Sequence, residues 1–373
     1  MKKITSALLL LSLLLILLTG CKKYYDPIES TEEESRVVMT MTAGDATYEI
    51  KYELFRALFL THKSTIDGGD DTVWQGENRD EYVARANEVV IGYISEIYSV
   101  FEAARRAGLD VFSDDVEKEI KEYVKIGVEG GSIGGIDYSG YSSYDEYLAA
   151  LRALNLNYSV QALMLRYSIA IDMLDEYYIG TVSGNDIENG VISQGAIKYT
   201  KEDVRTFYES DRCVRVLRTF VNASMVTNPY QMASRIRNAA LAASSRGEEA
   251  VRDAMIGAGS TTAEAELARG YLVGRYNLSR LNYGEMIDAA FLLEVGEVSP
   301  VVKASEGNEL YYYVLYRAEK TDSYYEDNYS QVAYIYLRNT LGEILEGVRS
   351  ELATDVLVSD YLKTLDYSAI SMN

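Results

Sequence analysis

The sequence predicts a mostly α-helical protein that also contains one compact α+β domain. Apolar residues recur every three or four positions over residues 80–107 and again over 328–363, a spacing typical of amphipathic helices. Residues 212–222 instead alternate β-branched and other side chains, as strands do, and two closing strands are predicted at 298–303 and 309–317. With 373 residues, 48% of them apolar, the chain has enough material for two or three folded cores.

The first twenty residues resemble the signal of a bacterial lipoprotein. Lys2 and Lys3 precede the apolar run Ala7–Leu18, and Cys21 follows two small residues. The alternative is a transmembrane anchor, but a run of about 12 residues falls short of the ~20 that span a bilayer. We therefore expect residues 1–20 to be removed and Cys21 to carry a fatty acid such as palmitate, which anchors the protein to the outer face of the cell membrane.

Residues 21–40 are predicted to be a flexible tether. Lys22–Arg36 are highly charged, contain Pro27 and lack any periodicity. Removal of the signal also removes two lysines, which takes the formal charge from −21 to −23. If Cys21 carries lipid, Cys213 is left as the single thiol, so no intrachain disulfide can form despite export.

Residues 41–195 are predicted to form a helical domain. A short strand runs into a helix over 45–55, and the helix over 80–107 ends at Gly108, a position that favours glycine. The remaining predicted elements are a helix capped by Ser113, a loop over 127–142, a helix with Ser143 and Glu146 as capping box, and a helix over 158–178.

A Gly/Ser/Asn-rich stretch over 180–199 marks a boundary, after which residues 200–320 are predicted to form the α+β domain. A capping box, Thr200 with Asp203, opens its first helix. The element order is strand, two helices, a weak strand, a short helix at 284–293 and two strands, which indicates a small four-stranded antiparallel sheet with helices. The C-terminal segment 325–373 is predicted to be helical and to pack on the helical domain.

Composition excludes several classes of function. An isoelectric point near 4.6 argues against nucleic-acid binding, because phosphates repel an acidic surface. Two cysteines and one histidine, His62, cannot supply the four ligands of a Cys/His zinc site. A Ser-His-Asp or Cys-His catalytic site would have to be built around His62. We predict neither a metal ion nor a cofactor.

Four other features are interpreted as structural. His62 is expected to be an exposed helix residue, and Cys213 a small core residue. The run Gly130–Gly135 lacks the Lys-Ser/Thr of a phosphate-binding loop. Asp67–Asp71 lacks the twelve-residue spacing of a calcium loop. The excess of tyrosine, 33 against 7 phenylalanines, leaves two interpretations open: substitution for Phe on half-exposed surfaces, or a cleft that binds other polypeptides.

Three segments resemble the extracytoplasmic foldases of the SurA and PrsA type. Ala103–Val111 with Ser113–Glu117 is similar to a step between two helices of that family's chaperone domain. Lys198–Tyr208 resembles its linker helix. Ala289–Lys303, read as AAFLLEVGEVSPVVK, is similar to the signature of its parvulin domain, a peptidyl-prolyl isomerase fold, and is the most specific of the three. The resemblance covers most of residues 45–365.

The resemblance also implies where an isomerase pocket would lie and how it departs from the family. Arg218 and Tyr313 take the places of two histidines in the first and last strands. Asn282 and Met286 replace a Met and a Phe, while Phe291 is retained. Met286 and Asn282 are expected to make the pocket wetter and looser, and Arg218 adds a fixed positive charge that disfavours a proline ring. The pocket is therefore expected to be degenerate.

The resulting expectation is a membrane-anchored chaperone that binds unfolded or extended secreted polypeptides, without nucleic acid. The first alternative is an active parvulin-type peptidyl-prolyl isomerase. The second is a solute-binding lipoprotein, although the sequence lacks the long alternation of strands and helices that such two-lobed proteins need. The oligomeric state is left open, with a homodimer among the alternatives.

Overall fold

The computed structural model describes residues 25, 27–133, 136–180, 195–276, 280–306 and 309–372. Helices predominate in these ranges, and the strands form small antiparallel sheets, which confirms the predicted fold class. The helices are α1 Tyr52–Asp67, α2 Arg79–Arg106, α3 Asp114–Glu129, α4 Tyr144–Ala153, α5 Tyr158–Tyr178, α6 Lys201–Glu209, α7 Pro229–Ala243, α8 Glu248–Gly257, α9 Glu264–Arg269, α10 Arg280–Leu292, α11 Asp322–Asp327, α12 Tyr329–Thr354 and α13 Asp360–Thr364. The strands are β1 Val37–Ala43, β2 Ala46–Lys51, β3 Gly131–Ile133, β4 Ile136–Tyr138, β5 Cys213–Asn222, β6 Tyr271–Gly274, β7 Val302–Glu306, β8 Glu309–Ala318 and β9 Val356–Val358.

The chain divides into two compact units. The first comprises residues up to 94 together with 110–169 and 355–373, and the second comprises 95–109 and 170–354. The predicted domain limits at 195, 200, 320 and 325 remain predictions. The predicted C-terminal segment, 325–373, is shared between the units: α12 contacts α6 and β6 of the second unit, whereas β9 pairs with β1 of the first.

The first unit contains a three-stranded antiparallel sheet in the order β2-β1-β9. Residues 37–40, which we expected in the tether, form the first half of β1, because Met39 and Met41 alternate with threonines and are fully buried. The predicted C-terminal helix over 328–363 is too long, since α12 ends at Thr354 and Val356–Val358 then pair with Met39–Met41. This pairing joins residues more than three hundred positions apart.

An aromatic core fills the first unit around Trp74, which is 1% exposed. Its indole Nε1 donates a hydrogen bond of 2.9 Å to Oδ2 of the buried Asp67. Phe59 lies edge-on to the indole with ring centroids 5.2 Å apart, and Tyr367 stacks on it at 5.8 Å. The carboxylate of Asp67 also accepts from Lys63 Nζ at 3.0 Å and from the Gly69 amide at 2.8 Å, so this buried charge is satisfied.

Helix ends follow the predicted capping residues with one difference. Thr200 and Asp203 form a complete capping box, and Gly108 after α2 has a φ of +76°, which glycine adopts without strain. Ser143 caps α4 by accepting from the Glu146 amide at 3.1 Å. The Glu146 carboxylate, however, accepts from the amide of Ser142, so the predicted reciprocal bond is displaced by one residue.

The second unit is built on a four-stranded antiparallel sheet in the order β6-β5-β8-β7. The predicted strand 212–222 is confirmed as β5, which lies at the centre of this sheet. Helices α7 and α8 cover one face through an apolar cluster that includes Leu217, Val221 and Val314. Helix α10 covers part of the other face through Val214, Val216 and their neighbours. Both faces of the sheet therefore contribute to a core.

The region predicted as a loop over 127–142 is more ordered than expected. Helix α3 continues to Glu129, and strands β3 and β4 then pair as an antiparallel hairpin. The amide of Tyr141 donates to the carbonyl of Val128 at 2.8 Å, which closes the segment onto the end of the helix. Part of the Gly130–Gly135 run therefore lies in a hairpin strand.

Candidate functional site

The sheet of the second unit brings two of the predicted site residues to one face. In the antiparallel pairing of β5 with β8, Arg218 lies opposite Leu315 and Phe220 lies opposite Tyr313. Directly paired residues point to the same side of a sheet, as do residues two positions apart along a strand. Arg218, Phe220 and Tyr313 therefore share one face.

The guanidinium of Arg218 lies against aromatic rings. Its Cζ is 4.2 Å from the ring centroid of Tyr271 and 6.0 Å from those of Phe220 and Tyr313. The stacking on Tyr271 follows from strand register: β5 pairs with β6 as far as Val216 opposite Tyr271, and Arg218 is the next residue of β5 on that face. A cation over an aromatic ring at this distance is attracted by the ring quadrupole.

Three aromatic rings, those of Phe220, Tyr311 and Tyr313, lie together on the same face of the sheet as Arg218. The centroids of Phe220 and Tyr311 are 5.7 Å apart, those of Phe220 and Tyr313 6.0 Å, and those of Tyr311 and Tyr313 6.2 Å. Tyr313 is 2% exposed and forms the floor, whereas Phe220 and Tyr311 are half-buried. We call Arg218, Phe220, Tyr271, Tyr311 and Tyr313 the aromatic corner.

Helix α10 carries the other three predicted residues. Met286 is 2% exposed and packs in the same apolar cluster as Tyr313, and the looser pocket expected from this residue stays a prediction. Phe291 belongs to the edge of that cluster, and the guanidinium carbon of Arg275 lies 4.2 Å from its ring centroid. Asn282 belongs to α10, but its side chain lies outside the described part of the chain.

The opposite face of the sheet anchors β5. Arg215, 6% exposed, forms two hydrogen bonds of 2.6 and 2.8 Å with the carboxylate of Glu248. The hydroxyls of Thr219 and Ser260 lie 2.7 Å apart. Successive residues of a strand point to opposite faces of the sheet. Arg215 therefore binds Glu248 on one face, whereas Arg218 lies on the other face, in the aromatic corner.

The side chains that sequence analysis considered for chemistry have structural roles. Cys213 is fully buried, and burial raises the pKa of its thiol to about 11. His62 was expected to be exposed, but it is half-buried and stacks on Tyr93 with ring centroids 4.0 Å apart. Burial lowers the pKa of this imidazole. Among the described residues, no group of three or more His, Cys, Asp or Glu side chains could hold a metal ion.

Cys21, the predicted lipidation residue, lies outside the described residues. The described part of the chain contains no helix that is both long and apolar enough to span a bilayer.

The first unit also contains a cleft of about 470 Å³ that was not predicted from the sequence. It lies beside a buried carboxylate, Glu53, that accepts hydrogen bonds from Ser30, Asn157 and Ser159 at 2.5, 2.9 and 2.7 Å. The side chains that line it are partly from the segment predicted as tether; they include Ile28, Glu34, Arg56, Leu148, Asn157 and Tyr158. The alternation of Met and Thr in β1 was the signal that ordered structure begins before residue 41.

Comparison with known proteins finds similarity to solved structures. No protein-family model matches the chain, and no curated protein matches it. Among solved structures, it is similar to the foldase protein PrsA from Streptococcus pneumoniae, with 15% identity over 83% of this chain and 92% of that one and a TM-score of 0.24. It is also similar to the foldase protein PrsA from Lactococcus lactis, with 14% identity over 90% and 100% of the chains and a TM-score of 0.23. Both solved structures are of foldases, and TM-scores this low carry no conclusion about the activity of this chain.

Proposed function

We propose that this protein is an extracytoplasmic, lipid-anchored chaperone of the foldase type that binds unfolded or extended polypeptides. The observation that carries the proposal is the aromatic corner, where half-buried rings and a guanidinium lie together on one face of the sheet. Aromatic rings bind apolar side chains with little loss of rotamer entropy, and a guanidinium can donate to backbone carbonyls of an extended chain. Such contacts suit weak binding to many sequences.

Isomerase activity is proposed to be absent or slight. A prolyl isomerase must lower a rotation barrier of ~18–20 kcal/mol. The parvulin domains that this chain resembles have two histidines in the pocket where this occurs. Here those positions hold Arg218 and Tyr313, and the single histidine, His62, belongs to the first unit. The fixed charge of Arg218 opposes the transfer of a neutral proline ring to this pocket.

The proposed location rests on the N-terminal sequence. Lys2 and Lys3, the short apolar run and Cys21 together support export followed by lipid attachment. An acidic chain held at the outer surface of a membrane would meet secreted polypeptides as they emerge, before they are folded.

The proposal is tested by suppression of aggregation. The full chain in detergent, without ATP, should slow aggregation of a reduced, unfolded test protein at near-stoichiometric ratios. The double variant Phe220→Ser/Tyr311→Ser removes two half-buried rings and should require roughly fivefold more protein for half-suppression, the loss expected for about 1 kcal/mol of binding. The matched control is Tyr230→Ser, since Tyr230 is 58% exposed on α7 and lies outside the aromatic corner.

The outcomes separate the proposal from its alternatives. Equal suppression by the double variant and by the control, with unchanged melting temperatures, would place polypeptide binding elsewhere. No suppression by the wild-type chain would contradict the chaperone proposal itself. A rate of prolyl peptide isomerisation typical of known isomerases would instead support the alternative of an active enzyme.

A further inference from the structure

Arg218 lacks an acidic partner within the described residues. No ion pair or hydrogen bond joins its guanidinium to another described side chain or backbone carbonyl, and the guanidinium lies near three aromatic rings. Acidic residues outnumber basic ones in this chain, 57 to 36. Other arginines of the second unit that form ion pairs with carboxylates include Arg105, Arg106, Arg205, Arg212, Arg215, Arg252, Arg338 and Arg349.

The stacking on Tyr271 uses only part of what the guanidinium offers. A guanidinium is planar, and a ring against its face leaves its five N–H donors, which point outward in that plane, available. Arg218 is half-buried, so part of its surface still faces solvent. Partial burial costs hydration of the charge, which the rings only partly replace. A carboxylate bound at the edge of the plane would satisfy both the charge and the donors, because its two oxygens match the spacing of the N–H fork.

We infer that Arg218 is the recognition site for a carboxylate in the bound polypeptide. The inference rests on the proposed function and names the class of segment it takes: one acidic residue, or a chain-terminal carboxylate, next to an apolar side chain. The apolar neighbour contacts Phe220 and Tyr271 while the carboxylate binds the guanidinium edge. Long acidic runs are disfavoured, because the net charge of −21 repels them at a distance and leaves Arg218 as a local exception.

The experiment measures binding of short fluorescent peptides to the full chain in detergent. Three amidated peptides share one sequence of alternating Phe and Ala around a central Glu, Gln or Lys, and a fourth has the central Gln with a free C-terminal carboxylate. The Glu peptide should bind about tenfold more tightly than its Gln counterpart, with Lys weakest, and this preference should fall as salt is raised. If the free-acid Gln peptide binds more tightly than the amidated Gln peptide, Arg218 also binds a chain-terminal carboxylate.

Variants assign the preference to Arg218. Arg218→Gln should reduce the Glu-over-Gln preference to within twofold, because it weakens binding of the Glu peptide far more than binding of the Gln peptide. Arg218→Lys keeps the charge without the planar fork and should retain a reduced preference. Arg246→Gln removes an exposed arginine of the same unit and should leave the tenfold preference intact. A thermal melt of each variant excludes misfolding as the cause.

Two results would overturn the inference: equal affinity for the Glu and Gln peptides, or a preference that survives in Arg218→Gln. Neither result by itself would contradict the proposed function. If the chain suppresses aggregation yet shows no preference for a carboxylate, only the inference fails. If it neither binds these peptides nor suppresses aggregation, the chaperone proposal fails first.

Discussion

Phe220 and Tyr313 lie directly opposite each other across strands β5 and β8, with ring centroids 6.0 Å apart. This pairing fixes the side of the sheet on which Arg218 lies, two residues before Phe220. It also makes Tyr313 the buried floor of a face whose outer rings are half-buried. The position that the foldase resemblance assigns to a histidine is therefore occupied by a phenol packed among hydrophobic side chains.

Prolyl isomerisation of a tetrapeptide substrate is predicted to proceed close to the uncatalysed rate. Loss of even ~3 kcal/mol of transition-state stabilisation lowers the rate by roughly a hundredfold or more. The quadruple change Arg218→His, Tyr313→His, Asn282→Met and Met286→Phe should recover measurable activity, because the foldase resemblance assigns the four positions to one pocket, whose members act together. A wild-type kcat/KM in the range of ordinary isomerases would show that a pocket without histidine is competent.

Cys21→Ser is predicted to abolish lipid attachment. The altered chain should be released from the membrane fraction or remain with its signal uncleaved, because the thiol of Cys21 is the proposed acceptor of the lipid. Metabolic labelling with a radioactive fatty acid measures the attachment. Cys213→Ser is the matched control and should label normally, since that thiol is buried in the fold. Membrane association of wild type without any label would contradict this prediction.

Asp67→Asn is predicted to lower the free energy of unfolding of the first unit by about 1–2 kcal/mol, because a buried charge that accepts three hydrogen bonds is lost. Burial by itself raises the pKa of this carboxyl, but hydrogen bonds from Trp74, Lys63 and Gly69 outweigh it and hold the pKa below the ordinary value of 3.8. The contribution is thus present above pH 3.8 and is lost as the pH falls through the folded-state pKa.

Urea unfolding followed by circular dichroism at several pH values tests this. The difference between wild type and Asp67→Asn should be full at pH 7 and shrink towards zero as the pH falls below 3.8. Asp80→Asn is the control, because Asp80 forms an exposed ion pair with Arg79 that contributes little. A gap that does not change with pH would mean that the charge of Asp67 is not what stabilises the unit.

Cys213 is predicted to be unreactive in the folded protein. With a pKa of about 11, the thiol at pH 8 is ionised to only about one part in a thousand, and it is also shielded from reagents. In a Cys21→Ser background, a disulfide reagent should label no thiol in the native chain and one thiol in urea. Ser245→Cys in the same background should label rapidly, since residue 245 is exposed. Fast native labelling of Cys213 would indicate that β5 opens readily.

Local sequence was sufficient to predict an element whose structure depends on its own residue pattern. Strand β5 was predicted over 212–222 and found over Cys213–Asn222, because it is rich in β-branched and apolar residues, most of them buried. The foldase resemblance implied that Arg218 and Tyr313 belong to one pocket, whereas their shared face is seen only in the pairing of β5 with β8. The stacking of Arg218 on Tyr271 could not be predicted, since it depends on the register of β5 with β6, which neither strand encodes alone.

Elements that depend on distant partners were the ones missed. Strand β9 was absorbed into a long predicted helix because its three residues become a strand only by pairing with β1. The ordered start of the first unit was missed because charged residues before Val37 suggest a tether, whereas the hydrogen bond from Ser30 to the buried Glu53 becomes visible only in the fold.

The position of Trp74 has a practical consequence. It is the only tryptophan of the chain and is enclosed by rings of the first unit, while the second unit contains tyrosine and phenylalanine alone as aromatic residues. Light absorbed by indole but not by phenol therefore excites the first unit selectively. A red shift of this emission when an unfolded polypeptide is added, or on heating, would show that the first unit opens. If the emission stays constant while another signal shows unfolding, the second unit is the one that unfolds. The wild-type chain thus carries a built-in fluorescent label that needs no engineered dye.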